Sequence, residues 1–412
     1  MGAADTALSE DERRAFEDEA VAWLDAHAER RPVVTASTAW GEGQEIALMG
    51  GSTSIEAERE HIRVAKAWRA QVFDAGFGWL GGPVEYGGAG RHPDLDHVYR
   101  AIEGRYDVPD QRAWNVTWEM VAPAVLHHGS EELKRRFLRR FYRGELLCSQ
   151  LLSEPEAGSD LAGLRTRAER DGDEWVVNGQ KVWSSYAHLA DIGQLMARTD
   201  PDVPKHQGIS MFMLELDSPG VDRRPLRQMN GNAEFNEIFL TGVRVPHANM
   251  VGEPGGGWRA VLTTLMSERR AVGSGSGSTI DPVDVITRVA QHLERTDDPV
   301  VRQRLAVLHT DSRLPEWLGM RLAEDVAAGN ELGPQGSVMK LLANQRNIRL
   351  GALAGQLLGP AMVADSGEWN TFAWSDFLCS APGLRIAGGT DEIQHNILGE
   401  RVLGLPREPG RS

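Results

Sequence analysis

The spacing of hydrophobic residues divides the 412-residue chain into three parts. Apolar positions recur every three to four residues up to about residue 146, every two residues from 147 to 252, and every three to four again from 253 to 412. These periods predict an N-terminal helical domain (1–146), a central β domain (147–252) and a C-terminal helical domain (253–412). Gly-, Ser- or polar-rich stretches at 31–52, 273–278 and 365–368 are predicted connections.

Within these parts, individual elements follow from local patterns. Ser9, with three acidic residues after it, has the composition of a helix start. Pro219-Gly220 marks a turn in the β part. The predicted helices cover residues 55–72, 93–106, 113–128, 130–142 and 260–270, and the clearest strands cover residues 209–216 and 237–245.

The most informative stretch is residues 146–185. An apolar run at 146–152 leads into a small, polar loop at 153–160, which can present N–H and hydroxyl groups to a flat polar ligand or a phosphate. Most such loops are only turns, so the loop alone leaves both interpretations open. Asn178-Gly179 stands among alternating apolar residues and predicts a hairpin turn, because both turn positions favour a positive φ.

Composition narrows the function classes. Lys and Arg number 44 and Asp and Glu 59, so the net charge of 44 − 59 = −15 disfavours a nucleic-acid partner. The two cysteines, Cys148 and Cys379, lack the spacing of a disulfide framework or a zinc site. The N-terminus is acidic and lacks the apolar segment of a signal peptide, and no stretch is apolar over the length needed to span a membrane. These features predict a cytoplasmic protein without membrane association.

The order of residues in 146–185, with S-E-P-E-A-G-S-D followed by N-G-Q-K-V-W-S-S, resembles the flavin-binding segment of the acyl-CoA dehydrogenase family, and residues 384–406 resemble its C-terminal signature. The resemblance implies an α+β multidomain fold with a β-barrel-like central domain and a C-terminal four-helix bundle. It also implies FAD as cofactor and an acyl-CoA substrate. In that chemistry a carboxylate abstracts the α-proton while the β-hydride moves to flavin N5.

The resemblance assigns site residues one by one. Trp183 is expected to cover the flavin, although a half-buried strand aromatic is the alternative for that residue considered alone. Gly158 and Ser159 are expected at the substrate or the pyrophosphate, and Gly388 and Gly389 are expected at the substrate. The complete set expected at the cofactor is Gln150, Leu152, Ser153, Trp183, Ser184, Ser185, Gln356, Gly359, Thr390 and Glu392.

The catalytic base is expected outside the C-terminal loop. Many family members carry the catalytic glutamate immediately before the Gly-Thr pair, where this chain has Gly388. Glu268-Arg269 resembles a second family pattern, with the glutamate on the first long C-terminal helix. Thr264 and Leu265, one turn earlier, suit a partly apolar site that raises a carboxylate pKa. The alternative is a surface glutamate in a helical ion pair.

Departures from the family bear on assembly. No R-x-x-F-G stretch follows Glu268, and Gln356 to Gly359 are followed by Pro360 where a second glycine is common. These losses resemble the bacterial heterotetrameric branch, whose typical substrates are steroid side-chain thioesters. A homo- or hetero-oligomer that passes electrons to an electron-transfer flavoprotein is expected. Two alternatives stay open: a partner subunit with little catalysis, and a flavin oxidase or monooxygenase.

Overall fold

A computed structural model describes residues 8–31, 54–273, 281–327, 334, 336–363 and 371–407, without the side chains of 267–273, 323, 326–327 and 371–372. The predicted connections at 31–52 and 273–278, apart from residues 31 and 273, and the one at 365–368 lie outside the described residues. Backbone contacts group the described residues into two compact units, one up to Glu268 and one from Arg269 onward. Among the described residues, none of the helices is long and apolar enough to cross a bilayer.

The N-terminal helices form as the apolar spacing predicts. Ser9 begins the first helix with a capping box, in which its hydroxyl accepts from the N–H of Glu12 and the Glu12 carboxylate accepts from Ser9. A π-helical turn, Val116–Val121, precedes the fourth helix. The helices are α1 (Glu10–His27), α2 (Ile55–Asp74), α3 (Asp94–Glu103), α4 (Ala122–His128) and α5 (Glu131–Tyr142).

The central part is one sheet of eight strands in the order β6-β7-β3-β2-β4-β5-β8, with β1 added to β4. The β1–β4 pair is parallel, whereas β3 pairs antiparallel with both β2 and β7. The strands are β1 (Cys148–Leu151), β2 (Arg167–Asp171), β3 (Glu174–Ser185), β4 (Ile192–Arg198), β5 (Ile209–Glu215), β6 (Val221–Pro225), β7 (Phe235–Pro246) and β8 (Met250–Val251).

The predicted hairpin turn at Asn178-Gly179 is wrong, because β3 continues through both residues, with a register shift against β7 between Val177 and Gly179. The chain turns instead between β2 and β3, where Gly172 has φ of 62°. Gly179 is needed for a close approach: a Cβ there would lie 2.7 Å from the Cα of Thr166. The Asn178 side chain accepts a hydrogen bond from the N–H of Gly242 at 2.8 Å. Packing between strands therefore explains this Asn-Gly pair.

The C-terminal helices include the predicted four-helix bundle, because α7, α8, α9 and α10 share one apolar core. Val289, Leu308, Leu353 and Phe377 contribute one buried side chain from each of these helices. The helices of this part are α6 (Gly257–Gly273), α7 (Pro282–His292), α8 (Pro299–Ala327), α9 (Gly336–Leu358), α10 (Thr371–Ile386) and α11 (Asp391–Arg401).

Candidate active site

The end of β1 and the end of β3 meet side by side, which brings six predicted cofactor residues onto two adjoining segments. The N–H of Val182 donates to the carbonyl of Ser153 at 3.0 Å. The hydroxyl of Ser149 donates to the carbonyl of Ser185 at 2.8 Å. We refer to residues 150–153 and 182–185 as the β1–β3 junction.

Trp183 has an unusual backbone conformation within this junction. The register between β3 and β7 shifts between Lys181 and Ser184, and Trp183 has φ of 62° in the shifted segment. Its side chain is 58% exposed and meets Phe235 edge to face, with ring centroids 5.9 Å apart. Trp183 is therefore not the half-buried strand aromatic of the alternative interpretation. A bulky residue with positive φ stores backbone strain, and such strain is common at functional sites.

Two buried polar atoms of the junction have no hydrogen-bond partner among the described residues: Nε2 of Gln150 and Oγ of Ser184. Buried polar atoms are almost always paired in native proteins, so unpaired ones call for an explanation. Gln150 is partly exposed, so a flat ligand with acceptors along its edge, set beside the exposed Trp183 ring, would supply the partner for its Nε2. Ser184 is fully buried, and its contact with a ligand stays a prediction. The junction thus fits a flavin ring.

The loop that follows β1 is held by a buried ion pair that the sequence did not reveal. Nζ of Lys181 lies 2.8 Å from Oε1 of Glu154, and both side chains are almost fully buried. Burial lowers the pKa of Lys181 to about 8. For Glu154, burial acts to raise the pKa, but the Lys181 charge and hydrogen bonds outweigh it, and the net pKa is lowered. Sequence patterns do not predict this pair, because lysines in strands are usually solvent-exposed.

On the outer side of the same loop, Gly158 and Ser159 are exposed. A Cβ at Gly158 would meet nothing within 4 Å, so open space surrounds it. Next to Ser159, Asp160 pairs with the exposed Lys205 at 3.0 Å. These two predicted substrate residues are accessible, and their role stays a prediction.

Helix α6 packs against the sheet in the turn that precedes Glu268. Thr264 is fully buried, and its hydroxyl accepts from Nε2 of Gln194 on β4 at 3.0 Å. Leu265 packs on the core formed by the N-terminal helices and the sheet. The Glu268 backbone lies in α6, whereas its side chain lies outside the described part, so its role as a base stays a prediction.

In the second unit, a Gly-rich turn joins α10 to α11. Gly388 and Gly389 have φ of 62° and 95°, and the Thr390 hydroxyl caps α11. The buried Lys340 donates to the carbonyl of Gly389, which fixes the turn. Glu392 lies in the first helical turn, where backbone and Thr390 hydrogen bonds lower its pKa.

The other two predicted cofactor residues of this unit lie at the end of α9. Gln356 accepts a hydrogen bond from the guanidinium of Arg304. Gly359 has φ of 51°, a conformation that glycine adopts without strain, and it ends the helix. Their contact with a cofactor stays a prediction.

Comparison with known proteins matches this chain to three consecutive domains of one family: the acyl-CoA dehydrogenase N-terminal domain over residues 52–145, the middle domain over 149–243 and the C-terminal domain over 255–403. The acyl-CoA dehydrogenase IpdE1 of Mycobacterium tuberculosis is 37% identical over 374 residues, covering 88% of this chain and 94% of the relative. The chain belongs to the acyl-CoA dehydrogenase family. The predicted family and enzyme class, a flavin-dependent oxidoreductase, are thereby confirmed.

Solved structures agree with this membership. The Tcur3481-Tcur3483 steroid acyl-CoA dehydrogenase has a TM-score of 0.76 at 26% identity, covering 98% of this chain and 100% of that one. The ChsE4-ChsE5 complex of Mycobacterium tuberculosis has a TM-score of 0.72 at 29% identity, covering 98% and 100%. The predicted three-part acyl-CoA dehydrogenase fold is therefore confirmed.

Proposed function

We propose that this protein catalyses the FAD-dependent α,β-dehydrogenation of an acyl-CoA thioester, with Glu268 as the base. The observation that carries the proposal is the β1–β3 junction, where a strained, exposed Trp183 stands with two unpaired buried polar atoms, Gln150 Nε2 and Ser184 Oγ. A preorganised cofactor site contains polar groups that are already fixed in place and that find hydrogen-bond partners when the cofactor binds.

Each residue contributes a distinct task. Gln150 offers a hydrogen bond to the polar edge of the ring, Trp183 covers its face and excludes water, and the buried Ser184 supports this wall from inside the sheet. Glu268 receives the α-proton, and the buried Thr264 one turn earlier anchors that part of α6 to the sheet. The cofactor, when bound, supplies the hydride acceptor at N5.

Gly388 bears on the position of the base. It carries no carboxylate and has a positive φ of 62°, so the turn before α11 has no group that accepts a proton at this position. That leaves Glu268 as the candidate from the family patterns. The Gly389-Thr390 turn and Glu392 are assigned to the adenosine end of FAD, with Gln356 and Gly359 as further contacts.

The acyl group and the partners follow by analogy with the relatives. One structural neighbour is a steroid acyl-CoA dehydrogenase, and another is a complex of two differently named chains, ChsE4 and ChsE5. We infer that a steroid-derived or branched acyl-CoA is the substrate, that the protein works as an oligomer, and that an electron-transfer flavoprotein accepts the electrons.

Anaerobic titration of the purified protein tests this function. A yellow protein whose flavin absorbance is bleached by one acyl-CoA in a panel of straight, branched and sterol-derived thioesters is the expected result. Rapid oxygen consumption on substrate addition would instead support an oxidase or monooxygenase. A colourless protein that gains flavin only when co-purified with a second chain would support the partner-subunit alternative.

A further inference from the structure

The buried ion pair between Lys181 and Glu154 joins the two segments of the β1–β3 junction from behind. Lys181 is 0% exposed and Glu154 8%. Besides the 2.8 Å contact with Glu154, Nζ of Lys181 donates to the carbonyl of Leu152 at 3.0 Å. One ammonium group therefore contacts both the residue immediately after β1, Leu152, and Glu154 in the loop.

The carboxylate of Glu154 extends this contact to a third segment. It accepts from the N–H of Arg165 at 2.6 Å and from the N–H of Thr166 at 2.9 Å, just before β2. The turn from Glu154 to Ala157 is closed by two backbone hydrogen bonds of 3.0 and 3.1 Å. The pair thus connects the end of β1, the approach to β2 and the middle of β3.

The position of Lys181 within β3 suggests what the ion pair does. Lys181 is the last residue in register with β7 before the shift that produces the strained Trp183. Strand register is weakly specified where pairing is irregular, so an anchor immediately before the shift selects one arrangement. Buried ion pairs are often no more stabilising than apolar residues of similar size, and fixing a unique geometry is their better-attested role.

We propose that the Lys181–Glu154 pair positions the flavin-facing end of β1 against the bulge of β3. The inference rests on the proposed function, because it takes the junction to be the flavin site. Lys181 and Glu154 are positioning residues: they hold Leu152, Ser153 and Trp183 in place and do not themselves contact the ring.

Removing one partner alone also leaves a buried charge unpaired, which weakens the fold whatever the role of the pair. The informative comparison therefore uses Lys181→Met with Glu154→Gln, which removes both charges. Arg165 and Thr166 donate to different oxygens of Glu154, so glutamine keeps the acceptor for only one of these two N–H groups. Lys205→Met is the matched control, because Lys205 pairs with Asp160 of the same loop at an exposed position.

The experiment measures the Kd for FAD by fluorescence and the thermal unfolding of the flavin-free protein for the wild type and these variants. We expect the double variant to stay folded, with a somewhat lower melting temperature because it loses the hydrogen bond to Leu152 and one of the bonds to Glu154. We expect it to bind FAD about tenfold or more weakly, by analogy with the loss of groups that orient metal ligands. The control should match the wild type in both measurements.

Wild-type FAD affinity in a stably folded double variant would overturn the inference and reduce the pair to packing. If the double variant does not fold, Glu154→Asp decides, because it keeps both charges of the pair but withdraws the carboxylate by one methylene group: about tenfold weaker FAD binding supports the inference, and unchanged binding overturns it. A wild type that binds no FAD would contradict the proposed function instead, so the two failures are distinguishable.

Discussion

Replacing Trp183 by glycine and by alanine tests whether this residue is held in a strained conformation at the proposed flavin site. Both substitutions remove the indole and its edge-to-face contact with Phe235, so the difference between them isolates the backbone. In an ordinary strand, glycine is about 0.5–1 kcal/mol less stable than alanine. At φ of 62° the order should reverse, because a Cβ in the left-handed region costs about 1–2 kcal/mol.

Urea unfolding of the flavin-free protein, followed by circular dichroism, measures this difference. We expect Trp183→Gly to be more stable than Trp183→Ala by about 1 kcal/mol. Val176, which pairs in register with Glu169 on β2 and Arg244 on β7, serves as control, so Val176→Ala should be more stable than Val176→Gly. Both Trp183 variants should bind FAD more weakly, since each loses the exposed ring. A glycine variant less stable than the alanine variant would refute the strain argument.

Two further predictions concern β3 and its buried lysine. Gly179→Ala should destabilise the protein by about 1–3 kcal/mol, because its Cβ would lie 2.7 Å from Thr166. Gly158→Ala, whose Cβ enters open space, should leave the stability unchanged. Equal unfolding midpoints of the two variants would contradict the close approach at Gly179. FAD affinity should fall as the pH rises through about 8, the pKa of Lys181, and stay flat in Lys181→Met. In the unfolded chain lysine keeps its proton up to about pH 10.4. Between pH about 8 and about 10.4 the native state therefore binds fewer protons than the unfolded state. The contribution of Lys181 to the free energy of unfolding thus rises with pH over this range. Titration of Lys181 therefore does not lower FAD affinity by unfolding the protein. Parallel plots of FAD affinity against pH for the wild type and Lys181→Met would contradict the prediction.

The sequence predicts the fold correctly in the segments where one spacing of hydrophobic residues dominates. The capping box at Ser9 and the buried stripe of α5, formed by Leu133, Phe137, Leu138 and Phe141, follow directly from local sequence. The Asn178-Gly179 prediction failed because the same dipeptide that favours a turn also suits a strand where a neighbouring backbone approaches closely. Only tertiary contact with Thr166 and Gly242 separates the two cases.

The candidate site was only partly readable. The resemblance located both segments of the β1–β3 junction, because their residue order is distinctive. It did not reveal that Lys181 is buried against Glu154, since a lysine in a strand is ordinarily solvated and the two residues are 27 positions apart. The bulge at Trp183 was likewise hidden, because it depends on the register between β3 and β7.

The most direct test of the central claim is anaerobic stopped-flow reduction of the bound flavin by acyl-CoA in Glu268→Gln. We predict that this variant keeps its yellow colour and its FAD affinity but loses bleaching by at least about a hundredfold, the contribution typical of a general base. Glu253→Gln, an exposed charge just before α6, should behave as the wild type. Bleaching of Glu268→Gln at the wild-type rate would contradict the assignment of Glu268 as the base.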